Sequence, residues 1–158
     1  MPESWRSRAF RVLFNWFPAY RGTGARVTYI AGDWREIRVR LPLSWRTRNY
    51  VGTIFGGSMY AAIDPMYMLM LIKILGPDYL VWDKAATIRF RRPGREQLYA
   101  AFRITDDDIA RIRAEVEAGP GKTDRDFTVD LVSTTGEIHA SFTKLVNVRK
   151  RELSPPRS

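Results

Sequence analysis

Residues Gly56 to Leu75 read Gly-Gly-Ser-Met-Tyr-Ala-Ala-Ile-Asp-Pro-Met-Tyr-Met-Leu-Met-Leu-Ile-Lys-Ile-Leu. Two glycines open this stretch, and the residues after them are apolar almost all the way round a helical wheel. A helix of that kind is buried rather than half-exposed. Its apolar run approaches the roughly 18 residues of a membrane span. Asp64, Pro65 and Lys73 interrupt it, however, and well-patterned strands follow, so a core helix is expected. Asp64 is the one carboxylate within it, and a buried carboxylate is costly unless it is paired or functional. Gly76-Pro77 supplies the stop signal.

The remainder of the chain reads as elements that such a helix would organise. Trp5 to Phe17 is an amphipathic helix with Ser4 as its N-cap and Pro18 as its stop. Its stripe of Trp5, Ala9, Leu13, Trp16 and Phe17 is expected to pack over the domain, opposed by Arg6, Arg8 and Arg11. Arg26 to Ala31 and Arg35 to Leu41 form two strands around a Gly32-Asp33 turn. Ile37, Val39 and Leu41 alternate with Glu36, Arg38 and Arg40, which gives one buried and one wet face. Tyr79 to Arg91 is a long strand, with Leu80, Trp82, Lys84, Ala86, Ile88 and Phe90 expected on its core face. Gln97 to Ile104 is a further strand. Asp106 to Ala118 is a surface helix whose acidic first turn suits the positive end of the helix dipole. Asp126 to Val132 and Glu137 to Arg149 complete the set. On the last strand Ile138, Ala140, Phe142, Val146 and Val148 are expected inward, and His139, Ser141 and Thr143 outward. The layout is α+β: an antiparallel sheet, covered on one face, wrapped around one long helix.

Composition removes several classes of chemistry. With no cysteine, disulfides and thiolate catalysis are excluded. The single histidine, His139, is not accompanied by a Gly-x-Ser-x-Gly elbow. The net charge of +9 favours an anionic partner, but no nucleic-acid motif is present and none is expected as a partner. Residues 1–17 lack the apolar core and cleavage site of a secretory signal, so a cytoplasmic location is expected.

The segment Asn49-Tyr-Val-Gly52-Thr-Ile-Phe55-Gly56-Gly57, with Asp64 seven residues after the second glycine, resembles a known pattern. It is similar to the Asn-x-x-Gly-x-x-His-Gly-Gly…Asp pattern of phenylacetate-pathway-type acyl-CoA thioesterases in the hotdog superfamily. Val81 to Phe90 looks closer to an uncharacterised branch of that superfamily. The resemblance implies a hotdog domain over residues 21–150, an extra N-terminal helix over 1–20, and a disordered tail over 151–158. It implies a homodimer or dimer of dimers that hydrolyses a small-molecule acyl thioester between protomers. No cofactor or metal is implied beyond the coenzyme A thioester as substrate. The Gly56 and Gly57 N–H groups would polarise the thioester carbonyl. Asp64 from the other protomer would act as general base or nucleophile, and Asn49 would position the loop or the substrate. Phe55, Tyr60, Lys84, Arg89 and Arg91 are the candidate substrate contacts, with arginines holding the phosphates. Phe55 stands where the pattern has histidine, and it can neither donate nor accept a hydrogen bond.

Alternatives stay open at this level. Asp64 before Pro65 fits an N-cap followed by a first helical residue, and an ion pair with Lys84 is equally consistent. A non-catalytic acyl- or lipid-binding protein and a basic peripheral membrane protein docked through Trp5–Phe17 are the competing functions.

Overall fold

The computed structural model describes residues 1–151; residues 152–158, which hold nearly all of the expected tail, lie outside the described residues. The elements are α1 (Trp5–Trp16), α2 (Pro18–Gly22), β1 (Arg26–Ile30), β2 (Glu36–Leu41), α3 (Gly56–Ile63), α4 (Met66–Leu75), β3 (Tyr79–Phe90), β4 (Leu98–Arg103), α5 (Asp106–Ala118), β5 (Lys122–Val132) and β6 (Ile138–Lys150). All six strands form one antiparallel sheet in the order β1-β2-β4-β5-β6-β3. One face is buried: Phe127, Val129 and Leu131 of β5 are inside, and Asp126, Thr128 and Asp130 between them are exposed. Met59, Ile63, Met66, Met70 and Leu71 fill the covered side in one continuous core. Gly56–Leu75 is thus long and apolar enough to cross a membrane by composition, but it is the core of a sheet-wrapped domain.

That helix is interrupted. Pro65 has no N–H to donate to the preceding turn, and its ring crowds the carbonyl four residues back. The helix therefore ends at Ile63 and restarts at Met66. Asp64 does not cap the second half, since α4 has no side-chain cap. The capping role is therefore corrected: its carboxylate turns sideways to the sheet.

The core face of β3 also differs from the expected one. Against β6, Asp83 pairs with Val146 and Ala85 with Leu145, so Lys84 is an extra residue in a β-bulge. A bulge reverses the inside-outside alternation beyond it. Before the bulge the odd residues face the core: Val81 is buried and Trp82 is 73% exposed. Lys84 consequently points outward and pairs with Asp124 at 2.6 Å rather than with Asp64.

The sheet has a seam. Between β4 and β5 the aligned register is a single pair, Tyr99 with Val132. Tyr67 of α4 bridges that seam from the core side. Its ring lies 5.2 Å from Phe102 of β4 and 4.8 Å from Phe127 of β5, and its hydroxyl donates to the Thr128 carbonyl at 2.6 Å.

The two ends of the sheet are unlike. Along β1 the N-terminal segment closes the open edge. Asn15 Nδ2 donates to the Val27 carbonyl and Asn15 Oδ1 accepts from the Val27 N–H, both at 2.8 Å. Glu3 accepts from the Ile30 N–H at 3.0 Å. These groups stand in for a neighbouring strand. At the other end, among the described residues, β3 has no strand beyond it. To reach β1, α1 turns Phe10 and Phe14 inward, onto Trp34 and Tyr20. The stripe expected to pack is the one left outside: Trp5, Leu13, Trp16 and Phe17 are all exposed. The helix has apolar residues on both sides, and the Asn15 hydrogen bonds to Val27 fix which side docks.

Candidate functional site

The loop from Arg48 to Phe55 sets the start of α3. Asn49 Oδ1 accepts from the Val51 and Thr53 N–H groups at 3.1 and 2.9 Å, and Asn49 Nδ2 donates to Thr53 Oγ1 at 2.8 Å. Gly52 completes the turn at φ +83°, a region that favours glycine. Asn49 therefore shapes the loop, and its amide is committed to that task. The loop delivers Phe55 as the residue before the helix, and Phe55 supplies no side-chain cap. The first-turn N–H groups, those of Gly56 and Gly57 among them, thus remain without an intrahelical acceptor, at the positive end of the helix dipole.

A cleft of about 420 Å³ opens at this point, lined by Asn49, Thr53, Gly56, Met59, Phe90 and Arg91 among others. A Cβ at Gly56 would lie 2.8 Å from Phe90 Cζ, so a larger residue there would push that ring off the helix start. The Phe55 ring rests in the same way on Gly57. Two aromatic rings thus bracket the glycine pair. Arg91 is fixed by donating from Nε to Ser141 Oγ at 2.9 Å, and Arg92, also lining the cleft, pairs with Glu137 at 3.1 Å. The turn that carries them folds over His139, which accepts the Arg91 and Arg92 N–H groups at its backbone carbonyl. The His139 ring lies within 3.1 Å of the Pro93 carbonyl. His139 is 5% exposed, which corrects the solvated position expected for it. The β-bulge between Leu131 and Val132 shifts the pairing at that end of the strand.

Asp64 lies in a separate hollow of about 260 Å³, with Tyr60, Ala61, Phe14, Phe17 and Tyr20. Its Oδ1 accepts from Lys144 Nζ at 2.7 Å, and the same ammonium reaches Asp83 Oδ2 at 3.0 Å. The Lys144 side chain is only 3% exposed, whereas that of Asp64 is 43% exposed. Burial alone would lower the Lys144 pKa, but the two carboxylates outweigh it and hold the ammonium above the ordinary lysine value. Burial pushes Asp83 above the usual aspartate range despite Lys144 beside it, and its Oδ1 has no hydrogen-bond partner among the described residues. Tyr60, whose ring lies 5.8 Å from the ammonium, has its hydroxyl pKa raised by burial and by Asp64. The cluster is a half-open carboxylate held by an occluded cation.

Of the residues nominated from sequence, Asn49, Gly56, Gly57, Phe55 and Arg91 meet at the helix start, and Asp64 and Tyr60 meet in the second hollow. Lys84 and Arg89 line neither. Lys144 was not nominated, yet Ala140, Phe142, Lys144, Val146 and Val148 form one unbroken inward series. A lysine at a core position of a strand is itself the signal that an acid must meet it. Asp83 was hidden by the bulge.

Solved structures of similar shape are consistent in size and fold. A Pseudomonas aeruginosa protein of unknown function, described as a probable thioesterase, has a TM-score of 0.80 at 21% identity, covering 96% of this chain and 99% of that one. A Haemophilus influenzae thioesterase has a TM-score of 0.67 at 14% identity, covering 95% and 94%. Mouse (Mus musculus) thioesterase superfamily member 2 has a TM-score of 0.64 at 16% identity, covering 93% and 98%. At these identities the likeness establishes the fold, an antiparallel hotdog sheet around a central helix with an added N-terminal helix. Among functionally curated proteins the chain has no significant relative. Residues 6–148 match a family described as a domain of unknown function, DUF4442, and the chain belongs to that family, within the hotdog thioesterase-like fold.

Proposed function

We propose that this protein is a thioesterase acting on an acyl or aryl thioester of coenzyme A, at sites shared between two copies of the chain. The observation that carries this reading is the cleft at the α3 start, where Gly56 meets Arg91 and Phe90. N–H groups without helical acceptors suit a developing oxyanion, and guanidinium groups suit phosphates.

The shared site has a geometric basis. Gly57 and Asp64 are seven residues apart, which is two helical turns less about 20°, or roughly 10 Å along one helix face. That is too far for both to act on one carbonyl within a chain. Antiparallel apposition of two such helices about a two-fold axis would bring Gly57 of one to Asp64 of the other. Sealing of the β1 edge, with β3 left open, favours pairing of β3 with its copy.

In this reaction the thioester carbonyl oxygen is held by the Gly56 and Gly57 N–H groups. The partner's Asp64 takes a proton from water, whose oxygen bonds to the carbonyl carbon. The carbon–sulfur bond breaks, the thiol leaves with a proton, and the acid is released. Lys144 orients Asp64 by donating to its Oδ1 at 2.7 Å. The test is hydrolysis across a panel of acyl- and aryl-coenzyme A esters, with Asp64→Asn as the variant. Turnover should fall about a hundredfold or more, while the fold is retained. A wild type inactive on every ester, or an Asp64→Asn protein as fast as wild type on the best one, refutes the assignment.

A second reading, an acyl-binding protein without turnover, is favoured by one observation. The Phe55 ring packs on Gly57 and provides apolar surface where a hydrogen-bonding side chain would assist the carbonyl. Lipid retained through purification, with no hydrolysis, supports this reading over the first.

A further inference from the structure

We propose that α1, α2 and the loop after β2 form a docking surface for an anionic lipid bilayer. Three features of this end of the molecule coincide. The first is apolar. Trp5 is 76% exposed, Leu13 71%, Trp16 64% and Trp45 82%. On α1, Trp5, Ala9, Val12, Leu13 and Trp16 span about 100° of the helix circumference. The face that docks on the domain is a different one, filled by Phe10, Phe14 and Asn15. The outward stripe has no role in the core, and contiguous exposed apolar surface of this kind marks a contact.

The second feature is charge. Arg6, Arg21 and Arg46 lie over the rings of Trp5, Trp16 and Trp45, at 5.3, 4.7 and 5.0 Å. Arg21 and Arg46 line a hollow with Trp16 and Trp45, and Arg26, Arg40 and Arg46 line the next one. Arg26 and Arg40 are directly opposed in the β1–β2 ladder, which costs stability between like charges. Among the described residues none of these five arginines pairs with a carboxylate.

The third is composition. Tryptophan with arginine, rather than leucine alone, is the pairing that suits headgroup depth, where an indole ring sits between water and acyl chain and guanidinium groups meet lipid phosphates. A second copy of the chain would bring the same arginines against these. Pairing through β3 would leave this surface open, since β3 and β1 are opposite edges of the sheet, about 24 Å apart at ordinary strand spacing. A small-anion pocket of Arg26, Arg40 and Arg46 would need neither Trp5 nor Leu13. A bilayer uses all of them.

The experiment is flotation of the full chain with phosphatidylcholine vesicles, with and without phosphatidylglycerol. Wild type should bind only the anionic vesicles, with a blue shift of tryptophan fluorescence, and added salt should release it. Arg21→Ala/Arg46→Ala should bind about 25-fold more weakly, roughly fivefold per arginine. Trp16→Ala/Trp45→Ala should lose the blue shift and most binding; circular dichroism checks that each variant is folded. Several results overturn the proposal: no binding of wild type to anionic vesicles at low salt, or retention by both double variants. Full release by inorganic phosphate, with Trp16→Ala/Trp45→Ala unaffected, means a small-anion pocket instead. Break-up of an oligomer by the tryptophan variant means a protein interface instead.

Discussion

Replacing Lys144 by methionine tests the most consequential contact in the domain. The side chains are similar in length, so packing is largely kept and the charge is removed. Two acids then lose their cation: Asp64, held at 2.7 Å, and Asp83, held at 3.0 Å. Removing one partner of a buried ion pair costs about 3–5 kcal/mol. The Asp64 side chain is 43% exposed, so water recovers part of its loss; that of Asp83 is 22% exposed and recovers less. The expected loss at neutral pH is therefore about 2–3 kcal/mol. In a chain of this size that is a fall of about 6–9 °C in melting temperature. The cost should shrink in acid. Asp83 already has a raised pKa in the folded protein, so its contribution to stability falls as pH rises from the unfolded value of about 3.9 through the folded one. Without Lys144 that pKa rises further and the penalty extends toward neutrality. Urea unfolding at pH 4.5 and 7.5, compared at unchanged m, should show a larger deficit at pH 7.5. Adding Asp83→Asn should restore part of it. A Lys144→Met protein within about 0.5 kcal/mol of wild type at both pH values, or a deficit equal at both, would refute the reasoning. The raised Lys144 pKa gives the alkaline counterpart. Its contribution is whole below about pH 10.4 and is lost above that, as the folded pKa is passed.

Two further substitutions probe how the sheet is held. Tyr67→Phe removes the hydroxyl at the β4–β5 seam and leaves the Thr128 carbonyl unpaired; a loss of about 1–3 kcal/mol is expected in urea, with little change in the overall circular dichroism. Asn15→Ala strips both hydrogen bonds from Val27 on the β1 edge; about 1–2 kcal/mol should be lost, and hydrogen exchange at the Val27 amide should accelerate ahead of the β5–β6 core.

Much of the architecture was legible in the chain because its signals are local. The capping pair of Thr105 and Asp108 and the glycine at residue 119 delimit α5 at Asp106–Ala118, as the acidic first turn indicates. Period-2 alternation in β2 and β5 marks a sheet wet on one face. The glycine pair marks the start of the central helix, and Pro65 marks its break, since a missing N–H acts wherever the residue stands. The candidate site was legible only in part. Asn49, Gly52 and Gly56 announce a tight loop feeding a helix. What they do not announce is that Phe55 and Phe90, 35 residues apart, close on the two glycines.

What tertiary structure alone decided is what depends on a second strand or a distant residue. A bulge is a mismatch between two strands, so the alternation of β3 by itself assigns Trp82 and Lys84 to the wrong face; pairing with β6 turns them out and Asp83 in. The partner of Asp64 is 80 positions along the chain, beyond any pattern of spacing. For α1, apolar residues lie on opposite sides, so periodicity does not choose between them. The docked side is fixed by hydrogen bonds of Asn15 to the Val27 backbone, which exist only once β1 is in place. Composition dictated a buried helix with an acid in it. Only the assembled sheet dictated that the acid would face a buried lysine and remain half open to solvent.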